Sequence, residues 1–295
     1  MKYKITPGRV IFLIIDVIIL LLVAFVCVAP IIHIIMGSIS SPEKLNVYTK
    51  LIFRPLGKVD LTPYRIILKY KKLWMAYRNT LIYIVSTCAL TAVLTSIAGY
   101  VFSRKRMFMR NFFMLLISFT MLFNGGMIPT YIIIRKIGLV DTPYSMIIPG
   151  ALSVFNIILM RTSMQNVPQE LEEAARIDGA TDIKVLFHVI LPLCKATFAV
   201  IMLFTAVAKW NDYFSALLYL PNKQQYYPLQ MVLREILITT TSDITNTQSL
   251  QNSATMYKKA IEYACIVVST LPILCIYPFV QKYFVTGMTL GAVKS

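Results

Sequence analysis

Long apolar runs separated by short polar segments dominate the chain. A bilayer core takes about 20 residues of helix, and six runs reach that scale. They cover Val10–Met36, Asn79–Phe102, Phe112–Ile134, Thr142–Leu159, Val189–Phe214 and Ile261–Phe284. In hydrocarbon the backbone must satisfy its own polar groups, so each run is predicted to be an α-helix. Pro30, Pro129, Pro149 and Pro272 fall within or at the ends of these runs, where neighbouring helices can satisfy the freed carbonyls. The first run continues to Ile35 behind the basic start MKYK. It is far longer than the roughly 7–15 residues of a signal-peptide core, so it reads as a retained span. The pattern predicts an all-α, polytopic protein whose residues 1–295 form a single transmembrane domain.

One segment breaks the pattern. Residues 170–193 read ELEEAARIDGATDIKVLFHVILPL, polar and helical between two apolar runs. Asn166 is a plausible cap, and Pro168 suits a first helical turn. Glu170, Glu172 and Glu173 follow at the N-terminal end, where the helix dipole favours anions. Leu171, Ala174, Ala175 and Asp178 share a face by their spacing. Gly179 is placed to stop the helix, because glycine accepts the left-handed conformation there. Thr181 can cap a second helix, running through Ile183, Phe187 and Ile190 into the fifth span, with Pro192 at its entrance. The expected unit is two short helices joined by a tight turn, projecting from the membrane. The residues alone leave open an ordinary surface helix and a docking element, whose small alanines would let another protein approach closely.

Charge changes the picture less than its size suggests. The chain is 57% hydrophobic and only 14% charged, yet its net charge is +16; a soluble domain carries about a quarter charged residues. The basic residues lie between apolar runs rather than on one polar domain, which indicates membrane-flanking charge and no nucleic-acid partner. Arg104, Lys105, Arg106 and Arg110 crowd one short turn. With Lys2, Lys4 and Arg9 they favour a cytoplasmic N-terminus, and six spans then place both termini in the cytoplasm. The loop Gly37–Tyr77, on the opposite face, is also basic. Counting alone does not decide, and the short turn carries more weight than the longer loop. The segment 168–188 is then cytoplasmic and the loop 215–260 extracellular, the latter with a short helix at Leu229–Ile238.

Chemistry-bearing residues are sparse. Five cysteines form no CxxC pair, which argues against a disulfide framework or a metal site. His33 and His188 have no neighbouring carboxylate or thiol at ligand spacing and read as packing residues. Asp16 lies near the cytoplasmic end of the first span, within reach of headgroups. No Ser-His-Asp set can be assembled. The C-terminal GMTLGAVKS departs from a phosphate-binding loop: only three residues separate Gly287 from Gly291, and Val293 precedes the lysine. No catalytic residue, cofactor or metal is expected, and any ATP-derived energy must enter through a separate subunit.

The polar segment resembles the EAA motif of ATP-binding-cassette importer permeases: Glu173-Ala174-Ala175, then Gly179, then Val189-Ile190-Leu191-Pro192, with Val189 for the usual isoleucine. ELEEAARIDGA followed by LPL is similar to the carbohydrate-uptake, maltose-type branch. WNDYF at Trp210–Phe214 and the terminal YFVTGMTLGAVKS also match. YYPLQMVLREIL resembles the LplC/YtcP-like subgroup, associated with complex oligosaccharides. Ala196 stands where many relatives have a further proline, which bears only on the local bend.

The resemblance implies the type I importer permease fold in a bacterial cell membrane. Its implied partners are a second homologous permease subunit, two cytoplasmic ATP-binding subunits, an extracellular sugar-binding lipoprotein, a saccharide substrate and the lipid bilayer. It implies that Glu170, Glu173, Ala174, Ala175, Asp178 and Gly179 form an ATPase-coupling helix. Trp210, Asn211, Asp212 and Tyr213 would line the substrate path, an interfacial aromatic anchor being the other reading. Tyr226 and Tyr227 would sit on a loop reaching the binding protein. A permease for a non-sugar solute is compatible with the motif alone. A membrane-embedded enzyme or sensor would need polar groups converging at membrane depth, and the sequence offers none.

Overall fold

A computed structural model describes residues 7–123, 125–238, 256–275 and 278. The C-terminal match, part of the 215–260 loop, Lys2, Lys4 and the end of the sixth run therefore lie outside the described residues. The described chain is helical, with no strand among these residues. Two unbroken helices, Pro7–Ser38 and Lys71–Ser103, are long and apolar enough to cross a membrane; counting two bent helix pairs as one span each raises this to four.

The chain divides into two compact units. The first comprises residues 1–71 and 235–272. Its long helix Pro7–Ser38 is exposed along residues 7–28, the distribution expected of a helix whose neighbour is lipid. At its far end the chain folds back over the helix beginning at residue 256. Leu45, Ile52 and Ala260 form a small core, with Met36, Leu56 and Tyr263 packed around it. His33 accepts the Ile52 N–H at Nδ1 (3.0 Å), so Nε2 is free to donate to the Tyr263 hydroxyl at 3.1 Å. That agrees with a packing role for His33. Tyr257 donates to Asp60 at 3.0 Å, and Lys259 caps the Leu45 carbonyl at 3.1 Å.

The second unit comprises residues 72–234 and 273–295. Its spine is the helix Lys71–Ser103, which starts eight residues before the expected span. Lys71 and Lys72, expected in the loop Gly37–Tyr77, are part of this helix, because a helix can extend past the hydrocarbon with its charges in water. Thr80, Thr87, Thr91, Thr95 and Gly99 lie along its buried face. At Gly99 a Cβ would lie 2.8 Å from Met160 Cγ and 3.3 Å from the Arg161 backbone nitrogen, so only glycine permits this approach of the helix Val154–Gln165. The Thr197 hydroxyl, at the start of the helix Lys195–Trp210, donates to Ser163 at 3.0 Å.

Three expected runs differ from unbroken helices. The run 112–134 is divided into Arg110–Leu122 and Met127–Lys136, whose axes differ by 111°. Gly125 and Gly126 stand at the break, and Gly126 has φ +91°. The run 142–159 is divided into Tyr144–Ile147 and Val154–Gln165. Pro149 cannot donate a helical hydrogen bond and obstructs the preceding turn. Past the break the Ala151 carbonyl, outside both helices, accepts the Thr91 hydroxyl at 2.7 Å; non-helical backbone is tolerated in a bilayer where protein groups satisfy it. The run 189–214 is bent by 87° between Asp182–Leu193 and Lys195–Trp210. The second helix of the polar segment therefore does not run straight into a fifth span.

Candidate functional site

The polar segment folds as a helical hairpin. Its first helix covers Gln169–Ile177. Pro168, expected inside the first turn, occupies the cap position with extended backbone, and Asn166 closes the preceding helix instead. At the other end the Gly179 N–H bonds to the Arg176 carbonyl at 3.0 Å and the Ala180 N–H to the Ala175 carbonyl at 2.9 Å. These are the paired bonds of a Schellman turn. Gly179 has φ +79° with open space around it, so the requirement for glycine there is purely conformational.

The second helix starts at Asp182 with Thr181 as its cap residue. The threonine hydroxyl makes no capping bond; its carbonyl accepts the Val185 N–H at 2.9 Å. Residues Val185–Ile190 are wound as a π-helix, a local widening common at functional positions. Cys194, with φ −94° and ψ 13°, ends the helix, its N–H shared between the carbonyls of Ile190 and Leu191. The bend thus falls two residues after Pro192, not at it.

Packing fixes which face of the hairpin looks inward. Val185, Leu186 and Ile190 join Tyr100, Met160, Met164 and Ile201 in one core, with Ala175 and Ala180 against it. Val185 and Ile190 are fully buried, each worth about 1.5–3 kcal/mol relative to exposure. The first helix turns Glu172, Ala175 and Arg176 toward this core and leaves Glu170, Leu171, Glu173, Ala174 and Asp178 exposed. The four-residue face expected from spacing is therefore split: Ala175 turns inward while Leu171, Ala174 and Asp178 face out.

Glu172, which the sequence assigned only to the helix dipole, proves to be the anchor. It is 7% exposed. Its Oε1 accepts from Arg176 Nη2 at 2.8 Å and from the Tyr100 hydroxyl at 3.1 Å, and its Oε2 pairs with Arg104. Burial alone would raise its pKa. The Arg176 hydrogen bond, the Arg104 charge and the Tyr100 hydroxyl outweigh that and hold the carboxyl below its ordinary value, so it is ionised at neutral pH. Arg104 also bonds to Ser103 Oγ at 3.0 Å and stacks over the Tyr100 ring at 4.8 Å. Arg176 reaches across the turn to Asp182 at 2.6 Å. Beside the ion pair lies a cleft of about 410 Å³, lined by Lys105, Arg106, Gln169 and Glu173 among others. A sequence signal for Glu172 exists only in retrospect: a carboxylate one turn before an arginine, with a second arginine 68 residues upstream.

The WNDYF cluster does not present one continuous surface. Trp210, expected to offer a ring face to sugar, is 5% exposed. It lies edge-on to Tyr77 with centroids 6.4 Å apart. Asp212 is occupied by Lys209 at 2.9 Å and by the Ser215 N–H at 3.1 Å. Asn211 and Tyr213 are exposed; Arg234 lies 5.9 Å from the Tyr213 ring centre. Tyr226 and Tyr227 do not extend outward either. The Tyr226 carbonyl accepts from the Tyr83 hydroxyl at 2.7 Å, the Tyr227 carbonyl from Asn79 at 3.1 Å, and Tyr227 is buried. Among the described residues of that loop, Pro221–Gln225 form an exposed run.

Comparison with known proteins identifies relatives over nearly the whole chain. The chain is 38% identical over 278 residues to the polygalacturonan/rhamnogalacturonan transport system permease protein YtcP of Bacillus subtilis, covering 93% of this chain and 95% of that protein. It is 38% identical to Protein LplC of the same organism over 272 residues, 92% and 91% of the two chains. The fold superposes with a TM-score of 0.87, at 32% identity, on a bacterial ABC transporter involved in the import of the acidic polysaccharide alginate, covering 96% of this chain and 100% of the solved one. Residues 91–290, well over half the chain, match the family described as the binding-protein-dependent transport system inner membrane component. The helical membrane architecture, the hairpin built on the Glu173-Ala174-Ala175 motif and these likenesses together make the chain a member of that family, a membrane-embedded transport component and not an enzyme.

Proposed function

We propose that this chain is the permease subunit of an ATP-driven importer for uronate-containing oligosaccharides. It forms half of the translocation path, with a second homologous permease completing it. Two cytoplasmic ATP-binding subunits drive the cycle, and an extracellular lipoprotein delivers the sugar. In this reading the chain crosses the bilayer six times and both termini are cytoplasmic. The exposed face of the 169–177 helix, carrying Glu170, Glu173, Ala174 and Asp178, docks on an ATP-binding subunit. Alternating access is then rocking of helix bundles around a central site.

The observation that carries this reading is the division of labour on that helix. One face is anchored by a buried, triply bonded carboxylate, and the opposite face is left exposed and acidic, with Ala174 at its centre. A motif built only as a surface loop has no need of such an anchor. The acidic character of the substrate is supported by what the relatives are named for, polygalacturonan and alginate. It is also supported by Arg234 beside the exposed Tyr213 ring, a cation next to an aromatic face suited to a sugar carboxylate. Asn211, Tyr213 and Phe214 are the exposed members of WNDYF and face the substrate path in this reading, and among the described residues of the loop Pro221–Gln225 are exposed for contact with the binding protein.

The test is uptake into vesicles containing the assembled transporter and its binding protein. Oligogalacturonate is expected to accumulate with ATP, and neutral maltooligosaccharide to be excluded. Equal uptake of both sugars contradicts the substrate class; no ATP dependence contradicts the transport role.

A further inference from the structure

We infer that the Arg104–Glu172 ion pair is the strut through which movement of the 169–177 helix reaches the helix Lys71–Ser103. This rests on the coupling role proposed above and adds a route for the force. The obvious route is onward along the chain into Lys195–Trp210. That route is interrupted by the 87° bend at Cys194 and softened by the π-helical turn at Val185–Ile190. A push on the hairpin along its own axis is not delivered straight along the following helix.

The charged groups supply the alternative. Arg176 bridges Glu172 (2.8 Å) and Asp182 (2.6 Å), so it braces the two helices of the hairpin into one body. Arg104 connects that body outward. It holds Glu172, leans on the Tyr100 ring and bonds to Ser103 Oγ, all at the end of Lys71–Ser103. It also reaches toward the Met164 carbonyl at 3.4 Å. Glu172 completes the link by accepting the Tyr100 hydroxyl. Apolar surfaces can slide past one another. A buried ion pair with fixed hydrogen-bond directions resists both separation and sliding, because a partner pulled away leaves an uncompensated charge. The same helix Lys71–Ser103 carries Gly99 against Met160 and Thr91 on the broken backbone at Ala151. Motion delivered to its end is therefore passed to Val154–Gln165 as well. Arg104 and Glu172 are positioning residues: they touch no substrate.

The experiment uses the full transporter in proteoliposomes and reads two quantities: ATPase retained on the permease, and oligogalacturonate taken up per ATP hydrolysed. Arg104→Gln and Glu172→Gln are each expected to retain the ATPase while uptake per ATP falls about tenfold. The double variant is expected to be no worse than the poorer single one, because the two act as a pair. Arg176→Gln is expected to loosen the hairpin and reduce ATPase retention itself. If Glu172→Gln fails to assemble, Arg104→Gln decides alone, since Glu172 keeps its bond to Arg176. An unchanged ratio in Arg104→Gln overturns the strut, as do losses that multiply in the double variant. A purely structural role would lower the yield of complex and leave the ratio untouched. Absence of ATPase retention or uptake in the unaltered protein defeats the proposed function instead.

Discussion

Gly179 and Glu172 illustrate opposite kinds of residue. The role of Gly179 follows from local rules: an amphipathic helix ends, a glycine stands at C′, and φ is positive. Replacing it with alanine introduces no clash, so the penalty is the left-handed conformation itself, about 1–2 kcal/mol. Gly179→Ala is therefore expected to lower the thermal stability of the purified permease measurably. Gly179→Asn is expected to lose less, because asparagine tolerates that conformation. Equal losses from the two would show that something other than backbone conformation makes the position sensitive. Glu172 was not legible in the same way. Acidic residues in a first helical turn have a sufficient local explanation in the dipole, and nothing in the local pattern separates Glu172 from Glu170 and Glu173. Its partner Arg104 had an equally sufficient explanation as membrane-flanking charge. Each residue was correctly seen and wrongly left alone, because the ion pair joins positions far apart in sequence.

At the scale of elements, hydrophobic runs located the helices and misjudged their continuity. The short helix Leu229–Ile238 and the turn at Gly179 match expectation residue for residue. The division of 142–159 around Pro149 and the bend at Cys194 do not. A proline in a membrane run is compatible with a kink, a break or no change, and the outcome depends on whether a neighbour can satisfy the freed carbonyl. Here the helix is interrupted at Pro149, and past the interruption Thr91 pairs with the Ala151 carbonyl, a partner that no reading of residues 142–159 alone could reveal. The close crossing at Gly99 is another long-range requirement. A methyl group there meets Met160 and the Arg161 backbone, and overpacking of this kind costs about 1–3 kcal/mol. Gly99→Ala is expected to reduce the yield of folded permease and its thermal stability. Pairing it with Met160→Ala, which removes the clashing Cγ, is expected to restore part of the loss. No restoration would mean that the Arg161 backbone contact, not the methionine, sets the limit.

At the scale of the whole molecule, the chain is a membrane-embedded transport component. Among the described residues the hairpin is a polar element with both a rigid inward anchor and an exposed outward face, and the proposed scheme depends on its facing the ATP-binding subunit. Net charge could not assign the side, because both the short turn around Arg104 and the loop Gly37–Tyr77 are basic. The most direct measurement is site-specific photo-crosslinking from position 174 in the assembled transporter within intact cells. Ala174 is exposed and lies on the face opposite Glu172. The account predicts capture of a cytoplasmic nucleotide-hydrolysing subunit, with crosslinking that changes when ATP is bound. Capture of the extracellular binding protein, or reaction of that position with a reagent confined outside the cell, would contradict it.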